Sequence, residues 1–69
     1  MPLTLVKEGE LVCIKRITGK DDTIRFLSRL GFVEGEQIQI VSRIAGNIIV
    51  NVKDTRVALD KSLANRIAV

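Results

Sequence analysis

The sequence predicts a mainly β protein: a small barrel of about five strands, with one short α-helix after the first strand and a single helical turn before the last. Three observations carry this. The stretch Leu30-Gly31-Phe32-Val33-Glu34-Gly35 separates a helix-patterned segment, residues 21–30, from an alternating one, residues 37–44. Its two glycines mark two changes of backbone direction: Gly31 where a helix stops in the left-handed conformation, Gly35 where a strand opens. Isoleucine and valine are abundant, and Phe26 and Phe32 are the only aromatics, which suits strands cored by branched aliphatics. The 69 residues make one domain, 1–69. A chain of this size buries only about 60% of its unfolded surface, so its stability rests on packing.

Residues 2–7 form a lead-in, with Leu3 and Leu5 covering one end of the core, and Glu8-Gly9-Glu10 is a turn. Residues 11–18 read as the first strand, with Val12, Ile14 and Ile17 buried; the step from 14 to 17 breaks alternation, so a bulge is expected near Lys15-Arg16. Gly19-Lys20 turns the chain, and Asp21 or Asp22 caps the helix that follows. Ile24, Leu27 and Leu30 share one helix face with Phe26 beside them, while Arg25 and Arg29 share the wet face. Phe32 and Val33 return the chain to the core. Ile38 and Ile40 alternate with Gln37 and Gln39, Ala45-Gly46-Asn47 is a hairpin loop, and Ile48, Val50 and Val52 make the next inward row. Ile49 breaks that row and faces solvent, a partner or a second protomer. Lys53-Asp54-Thr55 is a tight connection, Val57 and Leu59 point inward, Asp60 caps one helical turn through Ala64, and Ile67 and Val69 form a last strand. Strands joined by tight turns, with the last closing against the first, suggest an SH3-like barrel. Gly9, Gly31, Gly35 and Gly46 are its structural turns.

The chemistry is sparse. Histidine is absent, so no imidazole triad, acid–base pair or imidazole metal site exists. Cys13 is the single cysteine. Between Val12 and Ile14 it reads as a small strand hydrophobe rather than an activated thiol. Asp21-Asp22 is too few carboxylates for a dedicated cation cage. The two glycines at 31 and 35 are followed by Glu36, not by the lysine of a Walker loop. No metal site, cofactor or catalytic residue is expected, and the chain is read as a non-enzyme. Net charge is +3, with eleven basic and eight acidic residues interspersed. Lys15, Arg16, Lys20, Arg25 and Arg29 gather around the first turn and helix, a wet face able to meet an acidic surface. A lone thiol without a leader-like or ~18-residue apolar segment leads us to expect the cytoplasm.

Four ordered features resemble the FeoA family, small cytoplasmic accessories of bacterial ferrous iron uptake. They are the lead-in Leu3-Thr4-Leu5-Val6-Lys7-Glu8-Gly9; the strand hydrophobics Ile14 and Ile17; Arg29-Leu30-Gly31-Phe32-Val33-Glu34-Gly35; and the closing Ala64-Asn65-Arg66-Ile67-Ala68-Val69. Leu63 departs from the resemblance, standing where relatives often carry a polar residue. The resemblance implies an SH3-like barrel with inserted helical segments, no catalysis, and a partner: the membrane ferrous iron transporter with its GTP-binding domain, met at the inner face of the cytoplasmic membrane.

On that basis the expected role is a protein-interaction module, with Arg25, Arg29, Leu30 and Phe32 at the helix and its exit as contacts and Ile49 as a secondary one. The alternative is a small basic barrel that binds nucleic acid, although no base-stacking platform is available once the core claims both phenylalanines. Direct iron(II) sensing is a weaker third reading, with Cys13 and scattered carboxylates as its only material. Weak homo-oligomers through paired edge strands are also open.

Overall fold

Six strands and two helices follow one another in a computed structural model that describes residues 1–69. A 3₁₀ turn, Leu3–Leu5, leads to β1 (Leu11–Cys13), β2 (Arg16–Ile17), α1 (Asp21–Arg29), β3 (Gln37–Ile44), β4 (Asn47–Val52), β5 (Thr55–Leu59), α2 (Lys61–Ala64) and β6 (Ile67–Ala68). They form two antiparallel sheets, one ordered β1-β3-β4-β5 and one pairing β2 with β6.

The expected first strand, residues 11–18, is therefore two strands in two sheets. The chain changes partner at Ile14-Lys15. The Ile14 N–H donates to the Glu36 carbonyl at 2.9 Å, and the next N–H, Lys15, donates to Ala68 at 2.8 Å. Ile14 is buried at this corner, which is the physical origin of the broken alternation. What local pattern suggests as a bulge is a switch between sheets. The last strand does close against this segment, but on its second half, β2. Beyond it the termini meet: the Val69 N–H donates to the Met1 carbonyl at 2.8 Å, and Pro2 bridges Ala68.

Thirteen apolar side chains form the core. The inward rows of β3 and β4 lie in register, Ile38 opposite Val52 and Ile40 opposite Val50. A bulge follows Ile40, after which Arg43 faces Ile48. Leu3 and Val6 plug one end while Leu5 is exposed; this corrects the pairing of Leu3 with Leu5, because residues three apart eclipse on a 3₁₀ turn. Val12 and Ile17 are only half-buried, packed against the core from its rim.

Helix α1 begins without the expected aspartate cap. Its N-cap is Lys20, with no side-chain bond, and Asp21 and Asp22 fall inside the first turn, where their charge still complements the helix end. The helix closes through a Schellman motif. The Phe32 N–H donates to the Leu27 carbonyl and the Gly31 N–H to Ser28, with Gly31 at φ 103° and Phe32 packed with Leu27 in the core. At α2 the Asp60 carboxylate accepts from the Leu63 N–H at 2.8 Å, a true N-cap.

Candidate functional site

Helix α1 buries Leu27 and turns Asp22, Arg25, Phe26 and Arg29 to solvent. Spacings of three and four put these residues on one stripe. Arg25 is held by Asp22, its Nη2 2.9 Å from the carboxylate, with both side chains well exposed; such a pair adds little stability but orients the guanidinium. Arg29 takes part in neither of the chain's two ion pairs. Between the arginines lies Phe26, 47% exposed. The sequence places Phe26 beside the buried face; the structure leaves it outside, because Leu27 already fills the space beneath the helix.

Two of the five expected contact residues stand apart. Phe32 is fully buried, since the Schellman turn folds it back over Leu27; it is a core residue and not a contact. Ile49 is half-buried on the outer face of the larger sheet, opposite Ser42 and Ala58. Leu27 belongs to the inner-face core, so Ile49 and α1 lie on opposite sides of that sheet. Leu30, at the helix C-cap, is half-buried at the margin of the Arg25-Phe26-Arg29 stripe.

Further cations extend the stripe. Lys20 immediately precedes α1, and Arg66, in the turn before β6, lies with its side chain against Gly19. Arg66 was not among the basic residues gathered by the sequence; it arrives from the other end of the chain through β2–β6 pairing. Cys13 is also corrected: it is exposed, on the outer face of β1 beside Gln37. If Val12 and Ile14 turn inward, alternation turns Cys13 outward. No three acidic or thiol side chains converge as a metal-holding group.

A cleft of about 370 Å³ lies elsewhere, between the 3₁₀ turn, the β3–β4 hairpin and α2, with Thr4, Arg43 and Lys61 in its lining. Its arginine is occupied structurally: Arg43 Nη2 donates to the carbonyls of Thr4 and Val6, and the Arg43 N–H donates to Glu8 Oε2 at 2.8 Å. This cluster ties the lead-in to β3. No helix is long and apolar enough to cross a membrane.

Comparison with known proteins matches this architecture. The FeoA domain family model covers residues 1–69. A Methanocaldococcus jannaschii protein provisionally named Fe(2+) transport protein A is 29% identical over 68 residues, 99% of this chain and 83% of that one. Among solved structures, an iron uptake regulatory protein (FeoA) superposes with TM-score 0.88 at 30% identity, covering 96% of this chain and 88% of the other. Stenotrophomonas maltophilia FeoA, described as a prokaryotic SH3 domain protein and crystallised with zinc, superposes with TM-score 0.85 at 28% identity, covering 99% and 87%. The barrel is thus SH3-like, with six strands rather than about five.

Proposed function

Because the chain belongs to the FeoA domain family along its whole length, we propose that it is a non-enzymatic accessory of ferrous iron transport that docks the cytoplasmic G-domain region of the membrane transporter. Two things support the general role: the iron(II)-transport name of the Methanocaldococcus jannaschii relative and the description of the Stenotrophomonas maltophilia protein as a candidate activating factor for ferrous iron transport. The docking surface is the α1 stripe, Arg25, Phe26 and Arg29, with Leu30 at its margin.

The observation that carries the assignment of the surface is Phe26, an aromatic left 47% exposed between two arginines. Aromatic and arginine side chains are the residue types that concentrate binding energy at protein interfaces. The flanking Lys20 and Arg66 add positive potential that would steer an acidic partner surface. The module works from the cytoplasmic side of the membrane, where a G-domain has access to guanine nucleotide.

The test is binding of the folded protein to the transporter's isolated cytoplasmic region, with and without guanine nucleotide, by calorimetry. Phe26→Ser and the pair Arg25→Glu with Arg29→Glu should each weaken binding about tenfold or more, with melting temperatures near that of the parent because all three side chains are outside the core. Unchanged binding by these variants removes the α1 stripe. No binding by the parent protein removes the partner.

A further inference from the structure

The larger sheet has two outer strands, and β1 is the one left without charge. Its backbone polarity follows from the flanking bonds. The Ile40 N–H donates to the Glu10 carbonyl and the Ile14 N–H to the Glu36 carbonyl. The Glu10 carbonyl and the Ile14 amide therefore point toward β3 with Val12 in phase between them, and the N–H and C=O groups of Leu11 and Cys13 point away from the sheet. No strand pairs with that side along β1 itself; from Lys15 onward it is taken by Ala68 of β6. Leu11 is 58% exposed and Cys13 is exposed. Proteins blunt such an edge with charges within the strand; β5 has Arg56, whereas β1 reads Leu11-Val12-Cys13.

The charges lie instead at the two ends of β1, and they differ in sign. Glu8 and Glu10 precede it; Lys15 and Arg16 follow it. We propose that β1 is a self-recognition edge, pairing antiparallel with β1 of a second copy about a twofold axis through Val12. In that register Leu11 faces Cys13 of the other copy, and each such pair exchanges both of the backbone hydrogen bonds left free in the single chain. The acidic end of one copy then lies beside the basic end of the other, at both ends at once. Parallel pairing would set acid against acid. Pairing β1 to β5 of another copy would be head-to-tail and would not close. The contact is short, well under the roughly 1,200 Å² of a stable interface, so the dimer is weak and reversible. This inference does not depend on the iron-transport reading, and it uses a different face from α1.

The experiment is sedimentation of the full chain over a concentration series up to about 1 mM, with the parent, Glu10→Lys, Lys15→Glu, and an equimolar mixture of the two variants. The parent should dimerise reversibly and less at high salt. Each variant alone should lose about tenfold or more in association, because position 10 of each copy then meets a like charge at position 15 of the other, and the mixture should regain it as a heterodimer. Amide spectra of each variant report that the fold is kept. In a second measurement Leu11→Cys should yield a disulfide-linked dimer on mild oxidation, through the native Cys13 of the other copy, since directly paired positions lie within disulfide reach. The parent should yield none, because its Cys13 faces Leu11. A parent that stays monomeric, a mixture no better associated than either variant, or absence of the Leu11→Cys cross-link would overturn the proposal.

Discussion

At the scale of single residues, Gly31 shows how one position can serve two constraints. Its φ of 103° lies where side chains are rarely found, and a Cβ built there would meet Val52 Cγ2 at 3.3 Å and Lys53 Cδ at 3.4 Å. Gly46 shares the positive φ but has nothing within 4 Å. The pair separates backbone preference from packing. Gly46→Ala should cost only the left-handed penalty, about 1–2 kcal/mol. Gly31→Ala should cost that plus the push on Val52, about 1 kcal/mol more. Urea unfolding of the two variants measures the difference; equal losses would mean that Val52 and Lys53 yield freely. The left-handed need of Gly31 was legible from its place after a helix pattern. Its closeness to Val52, 21 positions on, was not, since no local window contains both. Phe26 and Phe32 are a second case at this scale. Residue type alone sends both phenylalanines to the core, yet only Phe32 has room there, and Phe26 is left on the surface with the arginines.

At the scale of elements, the two helices begin differently although both start near aspartate. Asp60 precedes α2 and its carboxylate reaches the Leu63 N–H. Asp21 and Asp22 are already helical, so neither can fold back as a cap, and Asp22 turns to Arg25 instead. Asp60→Ala is expected to lower stability by about 1 kcal/mol. Asp21→Ala should cost a few tenths, the share expected of an exposed charge near a helix end. Thermal melts of the two variants, compared at one salt concentration, check the contrast; a loss at Asp21 as large as at Asp60 would contradict the capping assignment. The arginine stripe was legible because a four-residue spacing is a helix-surface property. Arg66 was not, because only the pairing of β2 with β6 brings it to the same region.

At the scale of the whole molecule, the lead-in closes one end of the core. Leu3 and Val6 are buried there, Arg43 holds the carbonyls of Thr4 and Val6, and Thr4 Oγ1 donates to Asn65 Oδ1 at 2.9 Å. A domain of this size has little stability to spare. Leu3→Ala should remove about 2–5 kcal/mol, enough to leave much of the protein unfolded at 37 °C, while Leu5→Ala, at a residue 66% exposed, should be close to neutral. Circular dichroism melts distinguish them. Similar losses for both would show that the lead-in packs through Leu5 as well.

The sequence by itself determined the β character, the inward rows of β3 and β4, the helix that stops at Gly31 and the capped turn at Asp60. Each of these depends on residues within a few positions of one another, through side-chain period, turn geometry or a cap. Only the tertiary structure decided that residues 11–18 divide between two sheets, that Phe26 stays outside while Phe32 goes in, that Arg66 joins the basic face, and that β1 keeps an open edge. Those outcomes depend on which distant segment fills a given space or a given row of hydrogen bonds first, and that competition is decided by the whole chain at once.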